Sequence, residues 1–373
     1  MIICVFFSYG ISLNDWFLNG SIDRELLLYK ELSKKGYKFI FITYGNNYDK
    51  KLAEKYSYIE VIPIYSIVKK SKLKFFNFLK IIKAAFLIKN KINKVNILKT
   101  NQLTAGVLAC LLKFLSKKKL ILRLGFEPLQ QFEIENKYSK LFLIFIKFIF
   151  LLMYLYSDLV SVSSYQIKNF IVKKYNISPK KIKYNWNYVD TNLFKPLNLK
   201  KKNRLLFIGR LVDVKNIFFL LESLVGTEIG LDIIGDGELK GEIKVFIKRH
   251  NLDVKILNPV DHFKLPLIIN TYFIYVICSN IEGNPKTLLE AMSCETAVIA
   301  TNSQGINEII INNVNGIISQ KNTNKFLQNI ISLINNSESR RLLASNARKL
   351  IIKNCSLDSY LKYEISLYKN LYE

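Results

Sequence analysis

Acidic residues are scarce in this chain. Its 373 residues hold 29 Asp and Glu against 55 Lys and Arg, a formal net charge of +26, and only two His. Such a balance attracts polyanions, meaning nucleic acid or an anionic membrane surface. A nucleic-acid binder would carry a known motif or a basic stripe interleaved with aromatics on one element, and neither is present. The five Cys (Cys4, Cys110, Cys278, Cys294, Cys355) show no metal spacing and no disulfide framework. They read as reduced, packed thiols of a cytosolic protein. No Asp-x-Asp motif and no His/Cys cluster occurs, so no metal or other cofactor is expected.

Apolar runs also stop short of a membrane span. The most apolar stretch, LFLIFIKFIFLLMYLY at 141–156, has Lys147 near its middle and falls below the roughly 20 residues a spanning helix needs. It reads either as a core helix of the N-terminal half or as a helix lying on a membrane surface. In the second case Lys137, Lys140 and Lys147 face lipid headgroups while Phe145, Phe148 and Leu152 insert. The opening MIICVFFSYG lacks a basic n-region and a cleavage site, and reads as a first strand rather than a signal peptide.

A chain of this length suits two domains. Short apolar runs at Ile2–Phe7, Phe39–Thr43, Asn96–Lys99, Lys119–Leu124 and Leu159–Val162 alternate with helical patterns such as Asp23–Lys34 and Leu103–Leu115. That alternation predicts a doubly wound parallel sheet. The basic stretch PLNLKKKNR at 196–204 reads as a linker, after which the pattern repeats with strands at Leu205–Ile208, Leu231–Ile234, Val254–Leu257, Tyr272–Cys278, Ala297–Ala300 and Ile317–Ser319.

The chemistry concentrates near residue 280. Tyr272–Cys278 predicts a buried strand, Ser279–Gly283 a polar break, and Leu288, Leu289 and Met292 recur at helical spacing. Asn284 is read as the N-cap and Pro285 as the first helical residue. A helix starting at the carboxyl end of a strand offers N–H groups to an anion such as phosphate. Glu282 precedes this helix and Glu290 lies inside it, so the two carboxylates reach different parts of one elongated ligand.

The run EGNPKTLLEAM resembles the signature of the group 1 (family 4) retaining glycosyltransferases of GT-B fold. FIGRLVDVKN, with Gly209, Arg210 and Lys215, and LDIIGDGELK, with Gly235, Asp236 and Gly237, match upstream in the same order. The N-terminal half is similar more loosely, through the Gly20 loop and NYVDTNLFKP at 187–196. This resemblance implies an α/β protein of two Rossmann-like domains facing across a cleft. Residues 1–197 would form the acceptor side, completed by a C-terminal helix at 356–373, and 203–355 the donor side. The implied reaction moves a sugar from a nucleoside diphosphate sugar to a hydroxyl acceptor, a glycan or lipid-linked glycan, in bacterial-type surface polysaccharide or glycolipid assembly. It would run in the cytoplasm or on the inner face of the cell membrane, without nucleic acid.

Departure of a diphosphate requires fixed cations and backbone donors, a role that Arg210 and Lys215 fit. By similarity Glu290 accepts from the ribose hydroxyls, Glu282 holds hydroxyls of the donor sugar, and Gly209, Gly283, Asn284 and Pro285 border the ligand. Gly20 falls where the family contacts acceptor or sugar diphosphate. In LRLGFEPL, where many relatives have a His, Glu127 stands instead; it is read as a substrate-orienting residue, against an ion pair with Arg123. Glu295 and Ala297 replace residues that are often Gly and Pro in relatives. In this family the acceptor is thought to attack from the leaving-group side, assisted by the departing phosphate. An epimerase or hydrolase of the same fold, needing no acceptor, and a non-catalytic basic membrane or nucleic-acid binding protein are the alternatives.

Overall fold

A computed structural model describes residues 1–71, 74–135 and 138–373. It divides into two compact units, Met1–Asn185 with Leu361–Glu373, and Trp186–Tyr360. Unit 1 holds β1 (Ile2–Phe6), β2 (Lys38–Thr43), β3 (Ile59–Pro63), β4 (Ile97–Thr100), β5 (Lys119–Leu124), β6 (Leu159–Val162) and β7 (Ile182–Tyr184), in the order β3-β2-β1-β4-β5-β6-β7. Unit 2 holds β8 (Lys202–Ile208), β9 (Gly230–Ile234), β10 (Val254–Leu257), β11 (Tyr272–Ile277), β12 (Ala297–Thr301) and β13 (Ile317–Ser319), in the order β10-β9-β8-β11-β12-β13. All pairings between these strands are parallel. These are the two doubly wound sheets that the alternating pattern predicts. Strands β3 and β7 escape that pattern: Glu60 and Pro63 interrupt one, and the other has three residues beside the basic turn Pro179–Lys181.

Two-sided burial explains why the central strands are apolar throughout. In unit 2, Leu206, Ile208, Tyr275 and Ile277 face one core, while Leu205, Phe207, Ile274 and Val276 face the other. Strand order reverses between β8 and β11, and between β1 and β4. A crevice opens at the carboxyl ends where neighbouring connections diverge to opposite faces.

The passage between units lies earlier than the basic stretch suggests, because residues 186–201 pack on unit 2. Phe194 is wholly buried there, its carbonyl accepting from Ser293 Oγ at 2.6 Å, and Leu197 N–H donates to Asn270 Oδ1 at 2.8 Å. Lys202 already begins β8. At the other end, helix Leu357–Tyr372 starts in unit 2 and ends in unit 1. In unit 1 its Glu364 forms a buried ion pair with Lys99 of β4, and Lys99 Nζ also donates to Tyr368 at 3.0 Å.

The apolar stretch forms helix Lys140–Tyr156. Phe150, Met153 and Tyr154 are buried in unit 1, as a core helix requires on one face, whereas Leu141, Ile144, Phe145 and Phe148 on the other face are exposed. Lys137 lies outside the described residues. Among those residues no helix is long and apolar enough to cross a membrane.

Candidate functional site

The unit 2 site is built where β8 and β11 end. After β8 the chain passes Gly209 and Arg210 into the turn Asp213–Lys215, and Asn216 takes a left-handed conformation (φ 52°) that turns it into the next helix. The loop after β11 is tied to this turn, with Asn280 N–H donating to the Val214 carbonyl at 2.8 Å. Glycines permit the next approach. A Cβ on Gly235 would sit 1.9 Å from the Gly209 carbonyl oxygen, and one on Gly237 would sit 2.4 Å from that of Leu211. The β9 loop therefore lies directly under the β8 loop, which is what the Gly-Asp-Gly sequence provides.

The two loops bring together Lys215 and Glu282, which are 67 residues apart in sequence but in contact in space. Lys215 Nζ is 2.5 Å from Glu282 Oε1, and Ser279 Oγ donates to the same oxygen at 2.6 Å. Both partners are largely buried, with side-chain exposures of 20% and 12%. Arg210 differs: it is exposed and has no ion-pair partner among the described residues. A second loop fixes Glu282 from behind. Its N–H donates to the Gln304 carbonyl at 3.0 Å, and a Cβ on Gly305, whose φ is +82°, would meet the Glu282 carbonyl at 2.1 Å.

The helix carrying Glu290 runs from Lys286 to Ser293, and its N-cap is Pro285 at φ −71°, ψ 112°. This corrects the reading of Asn284 as N-cap and Pro285 as first helical residue. The Asn284 side chain is engaged elsewhere: its Oδ1 accepts from Asn187 N–H at 2.8 Å, and its carbonyl accepts from Asn187 Nδ2 at 2.7 Å. Asn284 Nδ2 is buried without a hydrogen-bond partner among the described residues. The first N–H groups of the helix still lack intrahelical acceptors, as at any helix start.

Glu290 is 3% exposed. Its Oε1 lies 2.8 Å from His262 Nε2, and its Oε2 has no hydrogen-bond partner among the described residues. His262 packs against Phe194, with ring centroids 5.0 Å apart. Sequence reasoning missed this partner, along with Ser279, Asn187 and Gly305. For His262 a signal exists: it follows β10 by five residues, in a loop at the carboxyl edge of the same sheet. The helix ends in a Schellman turn, with Thr296 N–H bonded to the Ala291 carbonyl and Glu295 N–H to that of Met292. Glu295 occupies the left-handed position (φ 54°), the place where Gly avoids strain.

Unit 1 places its candidates separately. Gly20 (φ +64°) turns the chain between helix Leu13–Leu18, which the sequence pattern did not indicate, and helix Ile22–Ser33 carrying Arg24 and Glu25. Glu127 is not placed to orient a ligand, nor is it paired with Arg123. It is buried, its Oε1 accepting from Tyr175 at 2.8 Å and Tyr154 at 3.3 Å, its Oε2 from Gln130 N–H at the start of the next helix. Burial pushes its carboxyl up to about 6 despite these bonds, which act in the opposite direction. Arg123 instead donates to the Asn101 carbonyl at 3.0 Å. Glu127 therefore anchors Tyr154, and with it helix Lys140–Tyr156, to the loop after β5. Among the described residues no group of three or more His, Cys, Asp or Glu is placed to hold a metal ion.

Residues 189–350 match the family described as glycosyl transferases group 1. An uncharacterized glycosyltransferase of Methanocaldococcus jannaschii is 26% identical over 340 residues, covering 86% of this chain and 83% of the relative. The N-acetylgalactosamine-N,N'-diacetylbacillosaminyl-diphospho-undecaprenol 4-alpha-N-acetylgalactosaminyltransferase of Campylobacter jejuni is 27% identical over 212 residues, 54% of this chain and 58% of that protein. The chain thus spans about half the length of several curated relatives that it matches. Anabaena HepE, solved with UDP and glucose, superposes with a TM-score of 0.79 at 15% identity over 100% of both chains; at that identity the likeness speaks to the fold alone. The fold is GT-B, with two Rossmann-like parallel-sheet domains, and the part of the chain at 189–350 is similar to the group 1 glycosyltransferases.

Proposed function

We propose that the chain is a retaining glycosyltransferase that moves a hexosyl group from a nucleoside diphosphate sugar to a hydroxyl of a glycan or lipid-linked glycan. The observation that carries this reading is the set of loops after β8 and β11. They put the exposed Arg210, the Lys215–Glu282 pair and Glu290, with one open oxygen, at one sheet edge. In this assignment Arg210 and Lys215 meet the diphosphate, aided by the helix start beyond Pro285. Lys215 keeps N–H donors beyond the one directed at Glu282, so the pair need not break for a phosphate oxygen to bind. Glu282 takes hydroxyls of the sugar, and Glu290 Oε2 takes the ribose hydroxyls while His262 holds Oε1.

The bond from the anomeric carbon to the diphosphate breaks, a bond from that carbon to the acceptor oxygen forms on the same face, and the acceptor proton passes to the departing phosphate. The protein's part is to stabilise the growing charge on that phosphate. Unit 2 is assigned to the donor and unit 1, with the Gly20 turn, to the acceptor. The similarity to a transferase whose name specifies a diphospho-undecaprenol acceptor supports a lipid-linked acceptor here, in surface glycan assembly at the inner face of the cell membrane.

A thermal-shift panel of UDP, GDP, ADP and CDP, each with its sugars, tests the donor. A true donor at about 100 times its Kd adds roughly 2.7 kcal/mol of stability. Silence across the panel would favour a non-catalytic binding protein. Acceptor-independent turnover of a bound sugar nucleotide would favour an epimerase or hydrolase.

A further inference from the structure

Helix Lys140–Tyr156 has two apolar faces, and only one is covered by unit 1. The inner face is fixed by Phe150, Met153 and Tyr154, all buried, with Tyr154 hydrogen-bonded to Glu127. On the outer face Leu141 is 81% exposed, Ile144 65%, Phe145 59%, Phe148 56%, Leu152 48% and Leu155 58%. With about 100° per residue and Phe148 at zero, these six fall between about −40° and +60°, a continuous stripe about 20 Å long. Scattered exposed apolar residues need no explanation, whereas a contiguous stripe of this size marks an interaction surface.

Charge selects the occupant. Lys140 and Lys147 lie at about −100° to −80° on the same wheel, along one edge of the stripe, two turns apart. At the carboxyl end Lys113 Nζ donates to the Tyr156 carbonyl at 2.8 Å, and Lys181 Nζ to that of Leu155 at 2.8 Å. Lys113 belongs to helix Gly106–Ser116, which also presents Phe114, 68% exposed, and is followed by Lys117 and Lys118. Asp158, paired with Lys113 at 2.6 Å, is the nearby acid that this end carries in return. A second copy would set these lysines against themselves, in a chain of net charge +26. An anionic lipid surface accepts both features, the stripe among acyl chains and the amines among phosphates.

We propose that this face is a membrane-docking surface: the helix lies in the plane of an anionic phospholipid bilayer, inserting Ile144, Phe145, Phe148 and Leu152 with Lys140 and Lys147 at headgroup level. It does not cross, since its inner face stays in the core of unit 1. The proposal stands on unit 1 alone and does not depend on the reading of the sugar site.

The test is flotation of the full chain with vesicles of phosphatidylcholine, or of phosphatidylcholine with phosphatidylglycerol, at low and high salt. Binding to the anionic vesicles should exceed binding to the neutral ones by at least tenfold and fall as salt rises. The Phe148→Gln/Leu152→Gln double variant should lose at least tenfold in binding, and Lys140→Gln/Lys147→Gln should lose the anionic preference. Each variant must melt as the parent does, which their solvent-facing positions lead one to expect. Absence of flotation by the parent would overturn the proposal, as would equal binding by the Phe148→Gln/Leu152→Gln variant or a stable dimer that this variant dissolves. A UDP-induced thermal shift measured on the same variants reads the sugar site separately.

Discussion

Replacing Glu290 by Gln changes one oxygen to an amide nitrogen and should move stability and affinity in different directions. The amide oxygen can keep the contact with His262 that Oε1 makes at 2.8 Å. The changed atom then stands in the place of Oε2, which is buried with no hydrogen-bond partner among the described residues. A buried polar atom left unpaired costs about 1–3 kcal/mol, and more when the group is charged. Neutralising it should leave stability unchanged or raise it by about 1 kcal/mol, a rise of about 2–4 °C for a unit of this size. A nucleotide would lose a hydrogen bond to a charged acceptor, worth about 1.5–3 kcal/mol or roughly 10- to 150-fold in Kd. Titration calorimetry with the nucleotide that the panel selects, beside a melting curve without ligand, reads both quantities. Unchanged affinity in the folded variant would remove Glu290 from the nucleotide site, and lower stability with unchanged affinity would make the His262 pair a purely structural contact.

Two further outcomes are expected. Glu127 has a carboxyl pKa of about 6, above the ordinary 4.5, because of burial; a raised acid pKa contributes stability that is full below about 4.5 and lost as pH rises through about 6. That amounts to about 2 kcal/mol in all, about 1 of it between pH 5 and pH 8, so urea unfolding of Glu127→Gln should lack this component of the pH slope; identical slopes in parent and variant would refute the assignment. Glu295→Gly relieves a left-handed residue at the end of the motif helix and should stabilise unit 2 by about 0.5–1 kcal/mol, and a lower melting temperature would show that the 4.0 Å contact of Glu295 with Arg348 outweighs the strain.

Legibility in the sequence followed the physics of each element. Central strands buried on both faces were visible as unbroken apolar runs, and Lys119–Leu124 and Leu159–Val162 have the observed boundaries, as do the edge strands Val254–Leu257 and Ile317–Ser319. The edge strands β3 and β7 were not, since Glu60 and Pro63 interrupt one run and Lys183 follows a single buried apolar residue in the other. Glu282 and Lys215 were legible as types at fixed spacings, but their mutual contact was not, because it depends on the register of β8 against β11. The Asn284 cap misled for a related reason. Its local propensity was sound, yet Asn187, 97 residues away, takes the side chain. Glu127 reads as polar and loop-borne, and only the fold reveals that Tyr154, Tyr175 and the Gln130 N–H already bond its carboxylate.

The most direct test of a charge-stabilised departing diphosphate is steady-state turnover of the Arg210→Ala and Lys215→Ala variants with the identified donor and acceptor. Loss of one preorganised donor typically costs about 10²- to 10³-fold in rate; each variant should lose kcat in that range with a smaller change in KM, and the double variant should fall short of the product of the two effects because both act on one group. Lys215→Ala also leaves Glu282 with Ser279 as its remaining side-chain partner, so its melting temperature is measured alongside, and Lys215→Ala/Glu282→Gln serves as the folded control. Retention of kcat within about threefold in either single variant, with only KM raised, would contradict the account and reduce that residue to a docking contact.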